Sequence, residues 1–366
     1  MWIKQITVHH CRIIQQAQLN FFPRFNIILG DNGSGKSSLL EALCILSRGR
    51  SYRSSRINEV ITHHADSILC NAKIKQHNSD KLLSVGIQKN NKQTQIRINQ
   101  QNIKNQAELS KATPITIIHP DSVNLITGGP SLRRAFIDWI AFYQNPDFYQ
   151  HWKQYKRILR QRNICLRDPS QRYALPYWTE QLIALQQPLH QYRIAALKEL
   201  NNNIKKIQHG LWDGAKLDIE LSTGFPSDVD INDTNALQAI YQQRLDNDIK
   251  SHKTFYGIHR SELKISINGV IASQVVSRGQ LKILSILLLI AQSASASTNE
   301  QEKGIIAIDD LTAELDDNNR QRLIDLLIKT KQQLIMTTTP QGMEGINLNS
   351  IEKTMFHVKH GEFESI

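Results

Sequence analysis

The chain has 366 residues, more than one compact core usually holds, so the sequence predicts two lobes rather than one. Its 40% hydrophobic and 21% charged content is typical of a soluble globular protein. Its net charge of +11 favours a negatively charged partner such as nucleic acid, although a generic basic surface would give the same charge. The longest apolar run, residues 283–291, is too short to cross a bilayer, and the segment MWIKQITVHHCRIIQQ (1–16) lacks the continuous apolar stretch of a signal peptide, so we expect a cytoplasmic protein.

The first third of the chain reads as strands and turns around one glycine-rich loop. The apolar segment FNIIL (25–29) predicts a strand, and SLLEALCIL (38–46) predicts a helix. From about residue 68 to 118, polar and apolar side chains alternate. This alternation predicts further strands in the segments SILCNAKIKQ, KLLSVGIQK, QTQIRINQQ and ITIIHP.

The middle of the chain is predicted to be helical. From about residue 131 to 209 the apolar residues recur at helical spacing, with Leu132, Phe136, Trp139 and Ile140 on one face. Pro188 should kink or divide the last helical stretch, because proline has no backbone N–H to donate. The region shows no sustained heptads, so it predicts a compact arm and not a long coiled coil.

The last third returns to strands. A polar connector leads to a hairpin with an Asn268-Gly269 turn, and the segment VSRGQLK (276–282) opens an apolar helix. The apolar segment IIAI (305–308) predicts a buried strand that ends in two aspartates, and QQLIMTTTP (332–340) predicts another strand.

The loop at residues 30–37, GDNGSGKS, matches the phosphate-binding pattern G-x-x-x-x-G-K-[ST] in full. Its glycines let successive backbone N–H groups face the phosphates of ATP. Lys36 would reach the β- and γ-phosphates, and the Ser37 hydroxyl would bind Mg²⁺. A chance glycine loop is the alternative, which the flanking strand and helix disfavour. The predicted nucleotide contacts are Gly30, Asp31, Asn32, Gly33, Ser34, Gly35, Lys36 and Ser37.

Two aspartates follow the strand at residues 305–308, and ligands gather at the carboxyl ends of strands in open α/β sheets. We expect Asp309 to hold the magnesium, directly or through water. We expect Asp310 to orient or deprotonate the attacking water, which makes Lys36 and Asp310 the candidate catalytic residues. The alternative for Asp310 is a capping carboxylate for the next helix.

A second anion site is predicted at the helix start formed by Ser277, Arg278, Gly279 and Gln280, because free N–H groups at a helix N-terminus attract phosphate. The glycine-rich loop leaves the outer side of the γ-phosphate open. We therefore expect the second site to cover a nucleotide that is held by another copy of the chain, in a two-fold dimer driven by ATP. A helix cap without any ligand is the alternative.

DNA contacts are predicted in the loop after the first helix, where Arg48, Arg50, Arg53 and Arg56 alternate with serines. Such a loop suits a phosphodiester backbone and carries little sequence information, although it could also be a solvated loop. Two further candidates are the pair Arg133 and Arg134 and a helical cluster whose aromatic neighbours, Trp152 and Tyr155, could equally be core. That cluster consists of Lys153, Lys156, Arg157 and Arg160.

Together, the phosphate loop, the SRGQ helix and the segment DDLTAELD resemble the ABC-type ATPase heads of DNA-repair and SMC-like proteins. Five segments are similar to signatures of the RecF family: SRGRSYR (47–53), LITGGPSLRRAFIDW (125–139), LRQRNICL (159–166), GIHRSEL (257–263) and SRGQLK (277–282). The resemblance implies an α/β ATPase lobe built from residues 1–120 and 251–366, with a mainly helical arm over residues 121–250.

The resemblance also implies a function. A RecF-like protein would be an ATP- and Mg²⁺-dependent DNA-binding dimer at single-strand gaps or junctions, acting with RecO and RecR to load recombinase and support the SOS response. By family motif, Ser277, Arg278 and Gly279 form the signature, Glu314, Leu315 and Asp316 a D-loop across the dimer interface, and Thr338 or a neighbour replaces a switch histidine.

The chain departs from the expected patterns at several places, among them LRRAF (132–136), which has one arginine fewer than many relatives. In GIHRSEL, Ser261 and Glu262 stand where two aspartates are expected, which leaves their role open. Asp310 stands where transporter ATPases have glutamate, and its shorter side chain predicts a weak, DNA-stimulated ATPase. An ATP-sensing scaffold or another SMC-like ATPase remains the alternative. The sequence lacks a second metal cluster for a nuclease and the signature of a transporter subunit.

Overall fold

The computed structural model describes residues 1–76, 81–208, 216–296, 304–310, 317–344 and 351–366. Its strands are β1 Trp2–Cys11, β2 Ile14–Asn20, β3 Phe25–Leu29, β4 Ile68–Lys75, β5 Leu82–Lys89, β6 Thr94–Ile98, β7 Gln101–Ile103, β8 Ile115–Ile118, β9 Leu217–Leu221, β10 Leu263–Ile267, β11 Val270–Ile271, β12 Ile305–Ile308, β13 Leu334–Thr338, β14 Lys353–Lys359 and β15 Glu362–Ser365. Its helices are α1 Lys36–Arg48, α2 Gln106–Ala112, α3 Asn124–Thr127, α4 Pro130–Gln144, α5 Phe148–Arg167, α6 Leu175–Ala184, α7 Gln186–Ile207, α8 Thr234–Ser251, α9 Ala272–Val275, α10 Arg278–Ser295 and α11 Asp317–Lys329.

The chain forms two compact units, and the first combines the described residues within 1–122, 204–213 and 278–366. Its central sheet has the strand order β15-β14-β3-β13-β12-β8. All neighbours in this sheet are parallel except the β14–β15 hairpin. Strands β12 and β13 are buried along their whole length, which is why they read as continuous apolar runs in the sequence.

A second sheet of the first unit is antiparallel, with the order β2-β1-β4-β5-β6-β7. Helix α1 contacts strands of both sheets, among them β1 and β4 of the antiparallel sheet and β8 of the parallel sheet. A helix that is covered on all sides must be apolar all round, and α1 is buried from Ser38 to Ser47. The one acidic residue inside it, Glu41, is fully buried and forms a bidentate ion pair with Arg12.

The second unit comprises the described residues within 123–203 and 214–277. It contains the helices α3 to α6, most of α7, and α8, together with a three-stranded sheet of order β11-β10-β9. The boundary that the sequence placed after residue 250 lies inside this unit, at the end of α8.

The structure confirms two local predictions in the second unit. The long helical stretch divides at Leu185, and Pro188 lies in the first turn of α7, where a missing N–H costs no intrahelical bond. The Asn268-Gly269 turn joins β10 to β11, and both residues have the positive φ angles that this turn requires, 50° and 81°.

The predicted apolar face of α4 is correct only in part. Phe136 and Ile140 are buried, and Ile137 is buried beside them. Leu132, in the first turn of α4, is instead 46% exposed, so the buried face begins one turn later than its spacing suggested. Within the described part of the chain, no helix is both long enough and apolar enough to cross a membrane.

Candidate nucleotide-binding site

The predicted nucleotide residues meet at one edge of the parallel sheet. The loop at residues 30–35 leaves the carboxyl end of β3 and leads into α1, Asp309 follows β12, and His119 follows β8. Parallel strands end at the same edge, so residues that are far apart in sequence become neighbours there.

The loop itself needs glycine at defined positions. Gly35 caps α1 with a φ of 121°, a conformation that other residues rarely adopt. At Gly30, a Cβ atom would lie 2.5 Å from the carbonyl oxygen of Val358 in β14, so a side chain there would displace backbone. The turn of the β14–β15 hairpin also contacts the loop, because the Gly361 N–H donates to the Ser34 carbonyl at 2.8 Å.

Lys36 points into the curve of this loop. Its ammonium donates to the carbonyl oxygens of Gly30 at 2.6 Å and Asp31 at 2.9 Å, and the residue is only 6% exposed. Burial lowers the pKa of Lys36, although the carboxylates of Asp310 and Asp309 act in the opposite direction. Both aspartates thus act electrostatically on the Lys36 ammonium, which would present a positive charge to a phosphate group in the loop.

Asp309 accepts three hydroxyl hydrogen bonds. Its Oδ1 accepts from Ser37 at 3.0 Å and from Thr337 at 2.9 Å, and its Oδ2 accepts from Tyr52 at 2.9 Å. The backbone N–H of Asp309 donates to the Ile118 carbonyl at 2.8 Å, which fixes the start of the segment after β12. Ser37 and Asp309 thus place two oxygen atoms side by side.

The donor set fits the two groups that the sequence predicts. Hydroxyl and carboxylate oxygens are the ligands that Mg²⁺ prefers, and Ser37 and Asp309 provide one of each. The Ser34 hydroxyl is buried in the loop and has no hydrogen-bond partner among the described residues, so it is available as a donor to a phosphate oxygen.

Asp310 has a left-handed backbone conformation with a φ of 48°. Its N–H donates to the Thr337 hydroxyl at 3.1 Å, and its side chain is half-buried near Lys36. The next described helix, α11, spans Asp317–Lys329, and residues 311–316, where a helix capped by Asp310 would begin, lie outside the described part of the chain.

Two residues of this site, Tyr52 and His119, were not identified from the sequence. Burial, together with the Asp309 carboxylate, raises the pKa of Tyr52, so the phenol keeps its proton and donates it. The His119 ring lies 4.8 Å from the Tyr52 ring, and burial lowers the pKa of the imidazole. No spacing rule connects these residues to Asp309, since Tyr52 lies 257 positions away from it.

The predicted signature residues lie on the surface. Ser277, Arg278, Gly279 and Gln280 are all exposed at the start of α10. The space around Gly279 is open: apart from its chain neighbours and the backbone of α10 itself, no atom of the described residues lies within 4 Å of the position a Cβ would take. A phosphate group could therefore approach the backbone here.

The arginine loop, residues 48–56, presents three exposed guanidinium groups, those of Arg50, Arg53 and Arg56. Arg48 is half-buried at the end of α1, and Arg56 lies 3.7 Å from the carboxylate of Glu59.

Three of the four serines in this region donate hydrogen bonds to other residues of the protein, whereas Ser55 is exposed. The Ser47 hydroxyl donates to the Thr113 carbonyl at 2.5 Å, that of Ser51 to Glu41, and that of Ser54 to Glu59 at 2.5 Å. The three exposed arginines are therefore the groups that remain suited to contact a phosphodiester backbone.

The other two basic candidates differ in their surroundings. On α5 the basic side chains are exposed, but Tyr155 is fully buried and the half-buried Trp152 stacks on its ring at 5.5 Å, so Tyr155 belongs to the core and Trp152 packs against it. Arg133 forms a bidentate ion pair with Glu262, at 2.7 and 3.2 Å. Arg134 donates to the Ser261 carbonyl at 2.9 Å. Both arginines are thus held within the second unit.

Two expectations from motif resemblance have different outcomes. The predicted D-loop, Glu314 to Asp316, lies outside the described residues. Thr338 is fully buried in β13, and its carbonyl accepts from the Gly30 N–H at 3.3 Å, while its neighbour Thr337 is the residue bonded to Asp309.

Comparisons with known proteins agree with this architecture. The family model described as RecF/RecN/SMC N terminal domain matches residues 2–361. The chain is 31% identical to the DNA replication and repair protein RecF of Vibrio parahaemolyticus over 100% of both chains, and 32% identical to that of Proteus mirabilis over 100% of this chain and 99% of the relative.

Solved structures show the same fold. The structure of the recombination mediator protein RecF-ATPrS in the RecFOR pathway has a TM-score of 0.84 and 24% identity, covering 100% of this chain and 98% of that one. The SmcHead bound to the C-winged helix domain of ScpA has a TM-score of 0.59 at 14% identity, covering 100% and 97%. The fold is therefore that of an ABC-type ATPase head.

Proposed function

The chain belongs to the RecF family, and we propose that it is an ATP-dependent DNA-binding protein of recombinational repair and replication restart. It acts in the cytoplasm at single-strand gaps or junctions, helps to load recombinase and supports the SOS response. The observation that carries this proposal is the meeting of the phosphate loop, Ser37 and Asp309 at one sheet edge, with 3.0 Å between the Ser37 and Asp309 oxygens.

ATP with Mg²⁺ is the ligand of this site. The loop residues Gly30 to Ser37 enclose the phosphates, Lys36 neutralises the β- and γ-phosphate charge, and Ser37 and Asp309 hold the metal. Bound Mg²⁺ supplies charge neutralisation at the phosphates. Asp310 orients the attacking water and accepts its proton, and its short side chain makes turnover slow.

The protein works as an ATP-driven homodimer. The exposed start of α10, with Ser277 to Gln280, covers the γ-phosphate of the nucleotide in the second copy. Nucleotide binding therefore favours dimerisation, and dimerisation in turn tightens nucleotide binding. Exposed arginines of the arginine loop bind DNA without reading its sequence. RecO and RecR are the expected protein partners, since a RecF of the same fold is described within the RecFOR pathway.

The proposal is tested by sedimentation with ATP, Mg²⁺ and gapped DNA, combined with phosphate release. Lys36→Met should abolish nucleotide-dependent dimerisation, because it removes the positive charge that faces the phosphates. Asp310→Asn should dimerise with ATP but release phosphate at least about tenfold more slowly, because it removes the general base. Asparagine also tolerates the positive φ of this position, so the backbone is retained.

The matched control is Lys92→Met, which changes an exposed lysine in the β5–β6 turn and should behave as wild type. A wild-type protein that stays monomeric with saturating ATP, Mg²⁺ and DNA would refute the dimer. Dimerisation without any phosphate release would identify the chain as an ATP-sensing scaffold instead of an ATPase.

A further inference from the structure

The two carboxylate oxygens of Asp309 have different partners. Oδ1 lies beside the Ser37 and Thr337 hydroxyls, on the side of the phosphate loop. Oδ2 accepts from the phenol of Tyr52 at 2.9 Å, and it accepts no second hydrogen bond within the part of the chain that the structure describes. The motif pattern that identifies the nucleotide site does not include Tyr52.

Tyr52 is held from several directions. Its ring packs against His119 and against the main core of the first unit. The preceding residue, Ser51, donates to the fully buried Glu41, which is itself fixed by the guanidinium of Arg12. The phenol is therefore a rigid group at a defined place, and its bond to Oδ2 limits how the Asp309 carboxylate can rotate.

We propose that Tyr52 is a positioning residue that makes Asp309 a monodentate ligand and thereby selects Mg²⁺ over Ca²⁺. This inference rests on the proposed function, because it takes Asp309 as the metal-binding carboxylate. With Oδ2 engaged by the phenol, only Oδ1 is directed to the side of Ser37. Mg²⁺ needs a compact octahedral set of single oxygen ligands, whereas Ca²⁺ accepts six to eight ligands and readily takes both oxygens of one carboxylate.

The same bond anchors the arginine loop to the sheet edge. Tyr52 lies between the exposed residues Arg50 and Arg53, so its hydrogen bond to Asp309 restrains the segment that carries both arginines. Loss of this bond should therefore loosen the loop as well as the carboxylate.

The test is Tyr52→Phe, which keeps the ring and removes only the hydroxyl. Binding of a fluorescent ATP analogue to the full-length protein is titrated with Mg²⁺ and, separately, with Ca²⁺. We expect the Mg²⁺ concentration for half-maximal binding to rise about tenfold, as is usual when a partner of a metal-binding residue is lost. We expect the Ca²⁺ concentration for half-maximal binding to change less or to fall. The ratio of the Ca²⁺ to the Mg²⁺ concentration for half-maximal binding should therefore decrease.

Limited trypsin digestion gives a second readout that needs no nucleotide. Cleavage after Arg50 and Arg53 should be several-fold faster in Tyr52→Phe than in wild type. The matched control is Tyr173→Phe, which removes the hydroxyl of a tyrosine that is 85% exposed and should match wild type in every assay.

The outcomes separate this inference from the proposed function. If wild type binds no ATP in the presence of Mg²⁺, the proposed function is refuted, and the inference about Tyr52 is refuted with it. If wild type binds but Tyr52→Phe shows unchanged titrations, or equal losses for both ions, the selection of Mg²⁺ by Tyr52 is refuted.

Discussion

His259, in the second unit, is half-buried and lies between a phenol and a backbone carbonyl. Its Nε2 lies 3.1 Å from the Thr254 carbonyl, which can only accept, so Nε2 carries the proton. Its Nδ1 then accepts from the Tyr155 hydroxyl at 2.8 Å. Burial lowers the pKa of His259 to about 4, although the hydrogen bond to the Thr254 carbonyl acts in the opposite direction and raises it. The folded protein therefore keeps this imidazole neutral.

A pH dependence of stability follows from this environment. The unfolded pKa of histidine, about 6.5, lies above the folded value, so the unfolded state binds the proton more readily. The stabilisation is complete above about pH 6.5 and is lost as the pH falls towards 4. Between pH 7.5 and pH 5, wild type should lose about 2 kcal/mol more unfolding free energy than His259→Gln. Urea unfolding at both pH values measures this difference. Equal losses of unfolding free energy in wild type and in His259→Gln would contradict the prediction.

Ser261 and Glu262, whose roles the sequence left open, are held by arginines of the same unit. The Ser261 hydroxyl is fully buried, accepts from Arg193 at 2.7 Å and donates to the Ile258 carbonyl at 2.9 Å. Arg193 is at the same time paired with Asp138 at 2.7 Å. A neutral serine is therefore sufficient here, because Asp138 already balances the buried guanidinium.

At the scale of single elements, the arginine loop is the segment best placed to bind DNA. Arg50 and Arg53 are exposed, and neither forms an ion pair among the described contacts. Replacing both with alanine should weaken DNA binding by roughly tenfold and lower the slope of log K against log salt by about two, since two phosphate contacts are lost. Fluorescence anisotropy with gapped DNA at several salt concentrations measures both quantities.

The matched comparison is the double variant Lys153→Ala with Arg157→Ala on α5, which removes the same charge from another exposed element. We expect a smaller effect there, because Tyr155 is fully buried and the half-buried Trp152 already stacks on the Tyr155 ring, which leaves little aromatic surface for stacking on DNA. If the α5 variant loses more affinity than the arginine-loop variant, while ATP binding is intact in both, the arginine loop is not the DNA site.

At the scale of the whole molecule, the proposed dimer predicts complementation between two defective chains. Lys36→Met damages the phosphate loop, and Ser277→Arg places a bulky side chain where the γ-phosphate of the other copy would lie. In a mixed dimer, one of the two composite sites combines two intact halves. Equal mixtures should therefore regain up to roughly a quarter of the wild-type phosphate release, although each variant alone is inactive.

Phosphate release from the separate variants and from their mixture, at equal total protein, measures this complementation. A mixture of Lys36→Met with Lys92→Met is the control. The Lys92→Met chain keeps both halves of the nucleotide site, so it should release phosphate without help from the other variant. Failure of the first mixture to exceed its separate components would show that both halves of each site come from a single chain.

The sequence by itself determined the features that are local in the chain. The strand, phosphate loop and helix at residues 25–48, the buried strand before Asp309, the division of a helix near Pro188 and the Asn268-Gly269 turn all follow from spacing and backbone chemistry within a few residues. Resemblance of short segments also sufficed to identify the family.

Only the tertiary structure decided which distant residues meet. Strands β3, β12 and β13 are neighbours in the sheet but lie far apart in sequence, so the hydroxyls of Tyr52 and Thr337 on Asp309, and the β14–β15 hairpin against the phosphate loop, have no local signal. The same holds for the inward-turned serines of the arginine loop and the pairing of Arg133 with Glu262. The physical reason is that side-chain partners are set by sheet order and packing, which no short window of sequence contains.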